Sequence, residues 1–108
     1  MITPAHLQQQ FARHGLQLAR YARSPSLCDR RACSSLDYVG GRIVFLATGA
    51  KTDFTVVVLP TLADARRIGA LYRPGSAVAA DRRQNLVLIY LRSAKARLAI
   101  VRRIFSSS

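Results

Sequence analysis

Two short apolar runs constrain the fold of this chain more than any other feature. Phe54–Leu59 contains three consecutive valines, and Leu86–Leu91 is almost as rich in aliphatic residues. Runs of this length and composition are typical of strands that are buried on both faces. A strand buried on both faces needs cover on each side of its sheet. The two runs therefore predict the centre of a sheet that is flanked by helices.

Shorter signals predict the remaining strands. Leu36–Val39 and Arg42–Ala47 flank the pair Gly40-Gly41, which indicates a hairpin with a two-residue turn. Ser76–Ala80 is joined to the second apolar run by the polar segment Asp81–Asn85. This arrangement predicts a second hairpin, with that segment as its turn.

The first helix is predicted to begin at Thr3, a good N-cap that is followed by Pro4. Apolar residues and one histidine then recur at helical spacing: Leu7, Phe11, His14, Leu18 and Tyr21. Gly15 interrupts this stripe. We expect one long helix that passes through Gly15, with His14 packed in the core. The alternative is that the helix ends there and that residues 16–22 form a strand.

Two more helices are predicted. Thr61, with Asp64 three residues later, resembles a capping box at the start of a helix that Pro74-Gly75 ends. Residues 93–105 carry an apolar stripe opposite Lys95 and a pair of arginines. The sequence as a whole predicts one α+β domain, residues 1–108, in the order α-β-β-β-α-β-β-α. Its sheet is expected to be mixed and flanked by helices.

The charge of the chain points to a polyanionic partner. Seventeen Lys+Arg stand against five Asp+Glu, which gives a net charge of +12. A bias in base composition would explain why arginine replaces lysine, but it would not explain the shortage of acids. Such charge opposes compaction unless a partner neutralises it. Nucleic acid, DNA or RNA, is the expected partner, and an acidic protein is the alternative.

Arginine is the residue expected to carry this interaction, because its guanidinium group binds phosphate in a bidentate fork. Four adjacent pairs occur, and those at 30–31 and 82–83 are expected to protrude from turns. A solvated basic surface without a ligand is the plainer interpretation. The predicted nucleic-acid-binding residues are Arg13, Arg20, Arg23, Arg30, Arg31, Arg66, Arg67, Arg82, Arg83, Lys95, Arg102 and Arg103.

Few signatures of other functions are present. The chain has no glycine-rich phosphate loop, no nucleophile elbow and no glutamate. Cys28 and Cys33 do not have the spacing of a zinc site, and no metal or cofactor is predicted from these residues. No apolar stretch has the length of a signal peptide or a membrane span. We therefore expect a cytoplasmic protein without a membrane partner; three apolar helix faces against one sheet leave a homodimer open.

One stretch resembles a known family. Asp37 opens a strand, a glycine turn and the apolar strand 42–47 follow, and Lys51 comes next. This order resembles the core of the restriction-endonuclease-like nucleases, including the archaeal Holliday-junction resolvases, over residues 6–91. The resemblance implies a nuclease dependent on Mg²⁺, with Asp37 and Lys51 as catalytic residues. That family places a second acid two residues before the lysine, where this chain has Gly49.

Three functions thus follow from the sequence. The first is a non-catalytic protein that binds nucleic acid through arginines. The second is a small inhibitor or adaptor, of the kind found in mobile elements, that docks on an acidic protein. The third is the metal-dependent nuclease that the resemblance implies.

Overall fold

The computed structural model describes residues 1–22, 43–49 and 52–108, which form one α+β arrangement of helices around a sheet. The described helices are α1 (Pro4–Ala12), α2 (Leu62–Gly69) and α3 (Ala99–Ser106), with a 3₁₀ turn at Arg92–Ala94. The described strands are β1 (Ala19–Tyr21), β2 (Val44–Ala47), β3 (Phe54–Val58), β4 (Val78–Arg83) and β5 (Leu86–Leu91). Their order along the chain is the predicted α-β-β-β-α-β-β-α.

The five strands form a sheet in the order β1-β2-β3-β5-β4, and every pair of neighbours is antiparallel. The two apolar runs supply β3 and β5, which lie inside the sheet as predicted. The prediction of a mixed sheet was wrong for these strands. The helical connection through α2 does make β3 and β4 run in the same direction. However, β5 returns from the hairpin and inserts between them, so no parallel pair forms.

The prediction of one long first helix was also wrong, and the alternative holds. Helix α1 ends at Ala12, and Gly15 adopts a φ of +78°, a left-handed conformation that favours glycine. The chain then turns, with the N–H of Leu16 donating to the carbonyl of Phe11 at 3.0 Å. Residues 19–21 pair with β2 as β1. Because the helix stops before His14, this side chain is exposed and not in the core.

Helices α1 and α3 cover one face of the sheet. Leu7 and Phe11 of α1 are buried together with Val101, Ile104 and Phe105 of α3. The ring of Phe11 stacks on that of Phe54 in β3, with centroids 6.4 Å apart. Helix α2 covers part of the opposite face, near β4 and β5. Both faces of β3 and β5 are therefore buried, as their composition predicts.

The ends of several elements differ from the predictions. The β4–β5 hairpin has a two-residue turn, Gln84-Asn85, so that β4 continues through Arg83 and the turn predicted at Asp81–Asn85 is shorter. The α-helix at the end of the chain begins at Ala99, not at residue 93. Thr61 caps α2 as predicted, accepting from the N–H of Asp64 at 3.1 Å. The hairpin predicted at residues 36–47 lies outside the described residues except for its second strand.

No helix in the described ranges is long and apolar enough to cross a membrane.

Candidate nucleic-acid interface

The adjacent arginines of α2 have different surroundings. Arg67 lies 3.6 Å from Asp64, one turn earlier, and forms an ion pair with it. Arg66 is exposed, and none of the described residues bonds to its side chain. Adjacent residues on a helix point about 100° apart, so only one of the two reaches the carboxylate. Arg66 is therefore the member of this pair that is available to a ligand.

The second pair lies in β4 rather than in a turn. Arg82 and Arg83 are its last two residues and so point to opposite faces of the sheet. Arg83 donates from Nε to the carbonyl of Ser108 at 2.7 Å and is half-buried. Arg82 is exposed and makes no hydrogen bond within the described ranges. The prediction that this pair protrudes from a turn was wrong, because the strand extends to the two-residue turn.

The third pair, in α3, follows the same division. Arg102 donates from Nε to Oδ2 of Asp81 at 3.2 Å, and its guanidinium carbon lies 5.5 Å from the ring centroid of Tyr90. Arg103 is exposed, and its side chain has no partner in the part of the chain that the structure describes. In each described pair, then, one arginine bonds to another residue of the domain and the other bonds to no described residue.

Two of the arginines without a partner belong to neighbouring elements, Arg66 to α2 and Arg82 to the edge strand β4. Gly69, the last residue of α2, leaves room for Arg82: a Cβ on Gly69 would lie 3.6 Å from the Cβ of Arg82 and 3.8 Å from its Cδ. Arg66 is three residues before Gly69 and so shares its side of the helix. Strand β4 pairs only with β5, which leaves its outer edge without a strand neighbour among the described strands. We call Arg66 and Arg82 the edge pair.

The aspartates of the described ranges are already engaged. Asp64 and Asp81 form the ion pairs given above, and Asp53 accepts from Nε and Nη2 of Arg97 at 2.9 and 2.7 Å. No described carboxylate is therefore left to neutralise the edge pair. Part of the net positive charge of the sequence is therefore carried by identifiable surface side chains, among them Arg66 and Arg82.

The other predicted binding residues lie apart from the edge pair. Arg13 is exposed at the end of α1, near Arg103, and both line a cleft between α1 and α3. Arg20, on the outer strand β1, donates to Oε1 of Gln8 at 3.1 Å. Lys95 is exposed after the 3₁₀ turn and has no partner in the ranges described. Arg23, Arg30 and Arg31 lie outside the described residues.

Sequence reasoning missed two basic side chains with structural roles and one that is exposed. Arg92 donates to the carbonyl of Ser76 at 2.8 Å, and Arg97 holds Asp53. Arg73 is exposed in the loop after α2. These residues stand singly in the sequence, outside the adjacent arginine pairs and the predicted first helix that supplied most of the predicted binding residues.

The residues that the nuclease hypothesis needs, Asp37 and Lys51, lie outside the described residues. Asp53, two residues after Lys51, is the described carboxylate nearest to it in sequence. Its side chain is paired with Arg97. Within the described ranges no three metal-binding side chains are grouped together. The described residues therefore do not fit a Mg²⁺ site.

No protein family, no curated protein and no solved structure matches this chain. Its function is consequently inferred from the chain's own residues.

Proposed function

We propose that this domain is a non-catalytic nucleic-acid-binding protein that contacts phosphates through exposed arginines, above all the edge pair. One observation carries the proposal. In every described arginine pair, one side chain is held by Asp64, by the Ser108 carbonyl or by Asp81, while its neighbour is exposed and has no partner among the described residues. Intramolecular ion pairs thus account for only part of the arginine content.

The position of the edge pair supports contact with a phosphate backbone. The Cβ and Cδ atoms of Arg82 lie beside Gly69, the last residue of α2. Arg66 belongs to the same side of that helix. Two guanidinium groups at one edge, with every described aspartate engaged elsewhere, provide a place where successive phosphates are bound without competition from carboxylates.

Phosphate contacts of this kind position a nucleic acid without reading its bases. The described surface carries no group of exposed aromatic side chains on which bases would stack. We therefore propose binding that depends on charge more than on sequence.

The test is a fluorescence-anisotropy titration of the full chain against labelled single-stranded DNA, duplex DNA and RNA. At about 50 mM salt we expect saturable binding, and at about 200 mM a steep loss of affinity, because phosphate contacts release counterions. The affinity ranking of the three probes identifies the preferred nucleic acid. Absence of binding at the lower salt concentration would overturn the proposal.

A further inference from the structure

A cleft opens between the C-terminal end of α1 and the outer side of α3. Helix α1 and the residues that follow it contribute Gln10, Arg13 and His14. Helix α3 contributes Ile100, Arg103 and Ile104. The cleft lies on the α1–α3 side of the sheet, whereas Arg66 of the edge pair lies on α2, which covers the opposite side. It is a second candidate site, independent of the edge pair.

The cleft combines positive charge with an apolar surface. Arg13 and Arg103 come from different helices, and neither has an ion-pair partner among the described residues. Ile100, the second residue of α3, also lines the cleft, and 58% of its surface is exposed. An exposed isoleucine beside two arginines without a described ion-pair partner fits a ligand that has both an anionic group and an apolar group.

We propose that this cleft binds a segment of an acidic protein. Carboxylates of Asp or Glu on that segment bind Arg13 and Arg103, and an adjacent aliphatic side chain covers Ile100. A nucleic-acid backbone supplies the charge but has no aliphatic group for Ile100. The net charge of +12 favours an acidic partner over a neutral one.

The experiment uses the full chain and a short labelled peptide of alternating glutamate and leucine, with a second peptide that has glutamine in place of glutamate. Binding is measured by anisotropy for the wild type, for the cleft double variant Arg13→Gln/Arg103→Gln and for Ile100→Ser. The control is Arg66→Gln/Arg82→Gln, which removes the same charge from the edge pair. All four residues changed to glutamine are exposed, as is Ile100, so the fold is expected to persist in each variant.

We expect the acidic peptide to bind the wild type and the control variant with similar affinity, and the glutamine peptide to bind at least about tenfold more weakly. The cleft double variant and Ile100→Ser should each weaken binding of the acidic peptide. Failure of the acidic peptide to bind saturably would overturn the proposal. An equal loss in the cleft and control variants would also overturn it, because that result indicates unspecific attraction.

The same variants are titrated with duplex DNA, which separates the two proposals. If the cleft variant loses DNA affinity while its peptide affinity is unchanged, the cleft belongs to nucleic acid and this proposal is wrong. If the DNA affinity of the edge variant is unchanged but the cleft variant loses peptide binding, the cleft proposal stands without the edge pair.

Discussion

Asn85 and Ile2, which are 83 positions apart in the chain, exchange two hydrogen bonds. The N–H of Ile2 donates to Oδ1 of Asn85 at 2.9 Å, and Nδ2 of Asn85 donates to the carbonyl of Ile2 at 2.8 Å. The same Nδ2 also donates to the carbonyl of Leu59 at 3.1 Å. Asn85 is only 2% exposed. The side-chain amide of Asn85 therefore pairs with the backbone of Ile2 as a neighbouring strand would. It also connects this N-terminal segment to Leu59, the residue after β3.

Replacing Asn85 by alanine should lower the free energy of unfolding by about 2–4 kcal/mol, since it removes three hydrogen bonds of about 0.5–1.5 kcal/mol each. Asn85→Asp should be destabilising as well, because a carboxylate cannot donate to the two carbonyls. Urea denaturation of both variants measures the effect. A decrease below about 0.5 kcal/mol for Asn85→Ala, the range of ordinary surface changes, would show that water replaces this amide.

Gly15 provides a test of the turn between α1 and β1. Because its φ is +78°, Gly15→Ala should reduce stability by about 1–2 kcal/mol, the cost of a left-handed conformation with a Cβ. Gly49→Ala is the matched control: a Cβ at Gly49 also meets open space, and its φ lies outside the left-handed range. Thermal unfolding of the two variants compares them. Equal stability would mean that the turn relaxes to accept alanine.

Thr55, in the middle of the buried strand β3, carries a hydroxyl that costs stability. The side chain is 1% exposed, and Oγ1 has no hydrogen-bond partner in the described ranges. Valine has the same shape without the hydroxyl. Thr55→Val should therefore raise the free energy of unfolding by about 1 kcal/mol. Thr55→Ser, which keeps the hydroxyl and removes a methyl group, should lower it, and the opposite order in chemical denaturation would contradict this account.

The arginine pairs predict a separation of binding from stability. Arg66→Gln/Arg82→Gln should leave stability within about 0.5 kcal/mol of the wild type, because both side chains are exposed and neither bonds to a described residue. The same variant should reduce the slope of log affinity against log salt for duplex DNA by about two, since each arginine that is removed leaves one phosphate unbound.

The matched control for that prediction is Arg67→Gln/Arg102→Gln, which removes the same charge from the engaged members of two pairs. It should change the salt slope less and lower stability more, since Arg102 also packs on Tyr90. If both double variants reduce the slope equally, total charge and not position determines the binding.

The elements that the sequence predicts best are those whose signal is local. The β-branched runs of β3 and β5 predict buried strands because a strand covered on both faces has no polar side. The caps at Thr3 and Thr61 predict helix starts because the capping oxygen and the amide it binds are three residues apart. By contrast, the stripe from Leu7 to Tyr21 fits both a helix and a helix followed by a strand. Only pairing of residues 19–21 with β2 decides between them.

The candidate site divides in the same way. The sequence by itself determined the charge, the adjacency of the arginines and the two central strands, since these depend only on composition and near neighbours. Which arginine of each pair is free was decided by tertiary structure. Asp81 bonds to Arg102 from 21 positions away, and the Ser108 carbonyl bonds to Arg83 from 25 positions away. Tertiary structure also decided the order of the strands, in which β5 lies between β3 and β4. Contacts between distant segments form only when the chain closes around its core, and no local pattern encodes them.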